Sequence, residues 1–187
     1  MNELNKFPSG FAAEQFKVFL GEQEITTLAQ SLAHTLSNKY AGQELVIVGV
    51  LRGSCAFLAE LIRSIKDVQI SLDFVKLQSA GRTKESAGTI SLAKDINIDI
   101  RDKNVLIVKE IIDTGRAIHF LKSHLNLNEP KSIEILTLLD KPYQRVVPLA
   151  PEYVGKQIDE KFVVGYGMDL DQYGRNLSQI YTLSFPN

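Results

Sequence analysis

Apolar residues along this chain follow two different spacings in turn, and the alternation predicts strands followed by helices. Consecutive apolar residues at 45–51 and 105–108 are typical of strands buried on both faces. Helical spacing follows each run, over 54–66 and 116–127, and residues 14–38 predict one or two further helices. More strands are expected at 68–77, 89–92, 132–139, 162–164 and 180–183. This order indicates an α/β fold, with a mostly parallel twisted sheet flanked by helices on both faces.

Two loops in this pattern stand out because each joins a buried strand to a helix. They are Arg52-Gly53-Ser54 and the segment from Asp113 to Arg116. Ligands of such sheets bind outside the carboxyl ends of the strands, so both loops should open onto one crevice. The second loop offers backbone N–H groups and a helix N-terminus to an anion. Carboxylates beside an anion site, here Glu110 and Asp113, indicate a metal ion, sugar hydroxyls or a proton to be moved.

Composition narrows the class of protein without naming an activity. A chain of 187 residues fits one domain, 1–187. A formal net charge of −1 gives no support for nucleic-acid binding, and a single cysteine excludes an intrachain disulfide and suits a reducing compartment. The N-terminus lacks a signal-peptide pattern, and no apolar run approaches the roughly 20 residues of a membrane span. We expect a cytoplasmic protein without a membrane or nucleic-acid partner.

Four segments resemble those of the purine phosphoribosyltransferases, in matching order and spacing over roughly residues 40 to 184. They are Val50-Leu51-Arg52-Gly53-Ser54, the run from Val105 to Gly115, Leu138-Leu139-Asp140-Lys141-Pro142, and Lys161 to Asp169 with Tyr173 and Arg175 beyond it. The last two point to the hypoxanthine-guanine branch. The resemblance implies a type I phosphoribosyltransferase core at about 40–150. A small hood would come from the chain termini, about 1–20 and 151–187, and the assembly would be a homodimer or homotetramer.

This resemblance implies an enzyme of purine salvage. It would convert hypoxanthine or guanine and phosphoribosyl pyrophosphate to IMP or GMP, with release of pyrophosphate. Asp113 would be the catalytic residue, taking a proton from the purine as the glycosidic bond forms. The 5′-phosphate and ribose of the substrate would be bound by Glu110, Asp113, Thr114, Gly115, Arg116 and Ala117.

The remaining assignments also rest on the resemblance. Pyrophosphate would be bound by Arg52, Gly53 and Arg175, and the purine by Lys141, Phe162 and Val163. Mg²⁺ would be bound by Glu110 and Asp169. The polar loop that starts at Ser79 and Ala80 would close over the site. The peptide between Leu51 and Arg52 is expected to be cis. Lys141 would donate to the 6-oxo group of the purine, and Phe162 would stack on its face.

Taken singly, these residues also have plainer interpretations. Thr114 or Asp113 caps a helix, Glu110 ends a strand at the solvent, Arg52 is an ordinary loop arginine, Phe162 is a core residue and Arg175 a surface one.

Three positions depart from the pattern of the family. Lys109 stands where an acidic residue is usual, Ala117 where the phosphate loop has threonine, and Ala80 where the closing loop has tyrosine. Each removes a polar group or changes a charge in one ligand site. Two alternatives therefore stay open: a weakly active or inactive relative that binds purine nucleotides as a sensor or regulator, and an enzyme that prefers xanthine.

Overall fold

The fold is described from a computed structural model of the protein, for residues 15–80 and 89–183. Its strands are β1 (Phe16–Leu20), β2 (Glu44–Leu51), β3 (Gln69–Ala80), β4 (Thr89–Lys94), β5 (Asn104–Ile112), β6 (Ser132–Asp140), β7 (Tyr153–Gln157), β8 (Val163–Val164) and β9 (Ile180–Leu183). Its α-helices are α1 (Glu22–Tyr40), α2 (Cys55–Ser64) and α3 (Arg116–Asn126), and Pro142–Gln144 forms a 3-10 turn.

Six strands form one sheet in the order β4-β3-β2-β5-β6-β7. All neighbours in this sheet are parallel except β3 and β4, which are antiparallel. The chain leaves β2 for β3 on one side and later returns through β5 to the other side. The strand order therefore reverses between β2 and β5, and this reversal is the place where sheets of this kind bind ligands.

Alternate side chains of the central strands face two separate hydrophobic layers. Leu45, Ile47, Leu106 and Val108 pack with α1 and α2 on one face. Val46, Val48, Val105 and Ile107 pack with α3 on the other. Burial on both faces explains the unbroken apolar runs in β2 and β5. The predicted α/β class, with helices on both faces of a mostly parallel sheet, is confirmed.

A second sheet of three strands, in the order β1-β9-β8, lies apart from the first. Phe16 pairs with Leu183, so the two ends of the described chain meet there. This small sheet matches the expected hood. Residues 1–14 and 184–187, which fall within the predicted hood, lie outside the described part of the chain.

Two elements differ from the sequence-based prediction. Phe16 and Phe19, assigned to a helix, lie in β1, and the helix begins only at Glu22, where the Gly21 N–H donates to Glu24 Oε2 at 3.2 Å. Pairing with β9 at the far end of the chain decides the conformation of β1, and local spacing cannot reveal a partner so distant. Strand β7 was not predicted, and it extends the main sheet past residue 150. It is a sheet edge with half-exposed side chains, so it lacks a clear apolar pattern.

No helix in the described part of the chain is both long enough and apolar enough to cross a membrane.

Candidate active site

The loop after β5 leads directly into the N-terminus of α3, which is a common position for an anion-binding site. Gly115 is the N-cap of α3 and has a φ of 80°, a conformation that favours glycine. Asp113 and Thr114 are exposed beside it, and a cavity of about 240 Å³ is lined by Lys109, Asp113, Thr114, Gly115 and Ala117 among others. The free N–H groups of the first turn of α3 make this a favourable place for a phosphate. Of the residues predicted for the 5′-phosphate and ribose, Arg116, which is exposed, and Glu110, which is buried, are not part of the cavity lining.

The loop after β2 lies against the same end of β5. The peptide between Leu51 and Arg52 is cis, as the resemblance implied. A Cβ added to Gly53 would overlap the carboxylate of Glu110, and one added to Gly167 would overlap the Gly53 carbonyl oxygen. Glycine at 53 and 167 therefore lets β5, the β2 loop and the C-terminal segment come into contact.

Gln172 connects the C-terminal segment to the β2 loop, because it contacts Arg52 of that loop as well as Asp169 and Arg175 of its own segment. Arg52 Nη1 donates to Gln172 Oε1 at 2.8 Å, and Arg175 Nη2 donates to the same oxygen at 3.2 Å. Arg175 also forms an ion pair with Asp169 at 2.7 Å, and the Gln172 N–H donates to Asp169 Oδ2 at 2.9 Å. The structure thus brings the predicted pyrophosphate arginines and the predicted metal ligand into one cluster. Sequence reasoning missed Gln172, although its place between Asp169 and Arg175 was a usable signal.

The predicted purine-binding residues come from two segments. Lys141 follows β6, and its N–H donates to the Ile112 carbonyl at 2.9 Å. Its ammonium lies 3.7 Å from Asp113 Oδ2, and its side chain is only 12% exposed. Phe162 is 42% exposed, whereas Val163 is buried in β8. This contact places Lys141, which is predicted to bind the purine, beside Asp113, which is predicted to accept the proton of the purine.

Arg145 holds the phosphate loop to the lysine segment, and sequence reasoning gave it no role. Its guanidinium donates to the buried Asp140 carboxylate and to the Asp113 carbonyl. Further hydrogen bonds reach the Ile112 carbonyl at 3.2 Å and the Lys141 carbonyl at 3.4 Å. An isolated arginine in a proline-rich stretch carries no sequence signal for such a position.

Lys109 and Glu110, near the end of β5, form an ion pair with each other. The Glu110 side chain is 7% exposed, and its Oε1 is the atom that accepts from Lys109. Its Oε2 is buried and has no hydrogen-bond partner within residues 15–80 and 89–183. Leaving such an atom unpaired is costly, so a ligand that donates to Oε2 or coordinates it would be stabilised there.

A magnesium ion fits this set of oxygen donors only with help from substrate. No three His, Cys, Asp or Glu side chains of the described residues lie close enough together to hold a metal ion. Mg²⁺ is commonly bound by one or two carboxylates together with substrate phosphates and water. Glu110, with its unpaired oxygen, and Asp169 would supply such carboxylates.

The last predicted site residues are Ser79 and Ala80. Their backbone continues β3 and pairs with Ile90 and Thr89 of β4. The rest of the predicted closing loop, residues 81–88, lies outside the described part of the chain, so closure stays a prediction.

Comparison with known proteins agrees with this arrangement. The sequence profile of the phosphoribosyl transferase domain matches residues 19–171. The chain belongs to the phosphoribosyltransferase family. It is 40% identical over 167 residues to a hypoxanthine-guanine phosphoribosyltransferase of Staphylococcus aureus, covering 89% of this chain and 93% of the relative. A relative of the same name from Aquifex aeolicus is 36% identical over 169 residues, or 90% and 94% of the two chains.

Solved structures extend this likeness to three dimensions. A hypoxanthine-guanine phosphoribosyltransferase from Bacillus anthracis, crystallised with a HEPES molecule in its active site, superposes with a TM-score of 0.85 at 40% identity. The alignment covers 90% of this chain and 98% of that one. The likeness in fold therefore extends over nine tenths of the chain, and the sequence profile spans both the β2 loop and the phosphate loop.

Proposed function

We propose that this phosphoribosyltransferase is an enzyme of purine salvage that transfers the phosphoribosyl group of phosphoribosyl pyrophosphate to hypoxanthine or guanine. The products would be IMP or GMP and pyrophosphate. The observation that carries the proposal is the convergence of a phosphate cradle, an arginine cluster and a buried lysine at the reversal of strand order. Relatives at 36–40% identity bear the name of this activity over nearly their whole length.

The chemistry follows from where the residues lie. The N–H groups after Asp113 and the N-terminus of α3 would bind the 5′-phosphate. Arg52 and Arg175 would bind the pyrophosphate, whose departure leaves positive charge on the sugar. Lys141 would donate to the 6-oxo group of the purine and so select hypoxanthine or guanine over adenine, which has an amine there. Phe162 would stack on the purine face, and the Val163 backbone would contact its edge.

Asp113 would accept the proton that the purine nitrogen loses as the new bond forms. Its carboxylate is 53% exposed and lies 3.7 Å from the Lys141 ammonium, so it is accessible to a bound base. Mg²⁺ would balance the negative charge of the pyrophosphate, with Asp169 and Glu110 as the carboxylates that the resemblance implies for it. Relatives at 36–40% identity that bear the name of an enzyme favour an enzyme over an inactive nucleotide sensor.

An initial-rate assay tests the proposal. The purified protein should convert hypoxanthine or guanine to IMP or GMP when phosphoribosyl pyrophosphate and Mg²⁺ are present, and rates with xanthine and adenine would define its preference. Asp113→Asn should lower kcat by about 10²- to 10⁴-fold, the usual contribution of a general base. Asp102→Asn, in the turn before β5 and at the opposite end of that strand, is the matched control and should retain full activity. An unchanged rate in Asp113→Asn would remove that residue from its role.

Assembly as a homodimer or homotetramer also stays a prediction, which light scattering of the purified protein would test.

A further inference from the structure

The pair formed by Lys109 and Glu110 has hydrogen-bonding capacity left over. A lysine ammonium has three donors, and one of them is directed to Glu110 Oε1. The second carboxylate oxygen, Oε2, is buried without a partner among the described residues. Side-chain exposures of 21% for Lys109 and 7% for Glu110 show that water competes little for either group. The pair can therefore donate to one ligand oxygen and accept from another.

The position of this pair matches one part of the proposed substrate. Glu110 lies directly against Gly53 of the β2 loop, and Lys109 lines the cavity of the phosphate loop. If the 5′-phosphate binds at one loop and the pyrophosphate at the other, the ribose ring must lie between them. The two adjacent hydroxyl groups of that ring are each both donor and acceptor.

We propose that Lys109 is a substrate-binding residue of this chain, and that with Glu110 it holds the ribose hydroxyls without a divalent cation. Lys109 would donate to the oxygen of the 2′-hydroxyl, and Glu110 Oε2 would accept from the neighbouring 3′-hydroxyl of the same ring. The Lys109 ammonium neutralises the Glu110 carboxylate, so the pair carries no charge that a cation would have to balance. Glu110 Oε2 would then be occupied by the ribose and would not bind Mg²⁺, so of the two carboxylates named above only Asp169 would hold the ion, on the pyrophosphate side. Mg²⁺ would not be needed for binding the nucleotide. This inference rests on the proposed function.

Calorimetry of nucleotide binding in EDTA tests the proposal without relying on turnover. The probes are GMP and 2′-deoxy-GMP, which differ by one ribose hydroxyl. The unmodified protein should bind GMP in EDTA and prefer it to 2′-deoxy-GMP. Lys109→Met should weaken GMP binding by about 10- to 100-fold, as expected for a lost hydrogen bond to a charged group, and weaken 2′-deoxy-GMP binding far less.

Three further variants separate this role from a structural one. Lys109→Arg keeps the charge and the donors and should keep the preference for GMP. Lys109→Glu should bind GMP weakly in EDTA and regain affinity when Mg²⁺ is added. Lys103→Met is the matched control, because Lys103 forms an ion pair with Glu44 at 2.9 Å near the start of β5, and it should bind both nucleotides normally.

Each remaining outcome decides against the proposal in a distinguishable way. If Lys109→Met weakens both nucleotides equally, or if the unmodified protein needs Mg²⁺ to bind GMP, Lys109 does not replace a cation and the proposed function still stands. If the unmodified protein binds neither nucleotide in EDTA or in Mg²⁺, the proposed function fails as well. Should Lys109→Met not fold, as judged by thermal unfolding, Lys109→Gln keeps a polar donor without the charge and takes its place.

Discussion

Among residues that lie outside the candidate site, Arg145 is the one whose replacement should disturb the site most. Its side chain is 12% exposed, and its partner Asp140 is 4% exposed, so this is a buried ion pair. Four backbone carbonyls also accept from it, at Ile112, Asp113, Lys141 and Leu149. Arg145→Met keeps a stem of similar length but removes every one of these donors.

The expected loss of folding stability can be compared with the loss caused by breaking an exposed ion pair. Removing one partner of a buried ion pair costs about 3–5 kcal/mol, because the other charge is left buried and unpaired. In a chain of this length each kcal/mol lowers Tm by about 2–4 °C, so Arg145→Met should lower Tm by about 6–20 °C. Arg101 pairs with Glu129, and both side chains are more than half exposed. Arg101→Met should therefore cost only about 0–1 kcal/mol.

Thermal and urea unfolding of both variants would measure the difference directly. Asp140→Asn combined with Arg145→Met removes the stranded charge, so the double variant should recover part of the loss. We also expect Arg145→Met to raise KM for phosphoribosyl pyrophosphate, because the carbonyl of Asp113 loses its anchor. If Arg145→Met unfolds at the same temperature as Arg101→Met, the buried pair does not hold the phosphate loop in place.

Two further predictions concern a buried carboxylate and a close contact. Burial acts to raise the pKa of Asp73, but hydrogen bonds from backbone N–H groups and from Lys94 outweigh it and lower the pKa to about 2. A lowered pKa contributes stability that is present above the unfolded-state value near 4 and is lost as pH falls towards 2. The shift corresponds to about 2 kcal/mol, so Asp73→Asn should be less stable than the unmodified protein at pH 7 and nearly equal to it at pH 2, as measured by urea unfolding. A constant difference from pH 7 to pH 2 would contradict this account. Gly53→Ala should reduce kcat/KM at least about tenfold, because the added methyl group overlaps Glu110 and must displace it; wild-type kinetics in this variant would show that the contact is unimportant.

The sequence was sufficient to predict that the two strand-to-helix loops lie side by side, because its signals are local. In β2 and β5 a run of apolar residues is followed closely by glycine, and burial on both faces of a parallel sheet requires such a run. The position of Gly115 at the start of α3 follows from the same kind of signal. Two strand-to-helix loops on neighbouring strands then place their ligands side by side.

Elements that depend on distant partners were not predictable in this way. Strand β1 forms because Phe16 pairs with Leu183, and no local spacing encodes a partner at the other end of the chain. Arg145 likewise acts on carbonyls of Ile112 and Asp113, more than 30 residues earlier. Backbone acceptors have no sequence signature, since every residue carries one. Long-range polar contacts of this kind decide where a loop rests, and they become visible only in three dimensions.

The position of Lys109 changes how the departures from the family pattern should be judged. From sequence alone, a lysine beside Glu110 has two opposite interpretations: it repels magnesium, or it binds a phosphate oxygen directly and partly replaces the ion. In the structure its ammonium is directed to Glu110, so the pair has no net charge and the buried carboxylate has a partner on one oxygen. The same lysine lines the cavity in which Ala117 lacks a hydroxyl donor. The hydroxyl donor that Ala117 lacks at one wall of the cavity is therefore offset by the Lys109 ammonium at another wall. This exchange is compatible with an active enzyme whose nucleotide binding depends less on magnesium.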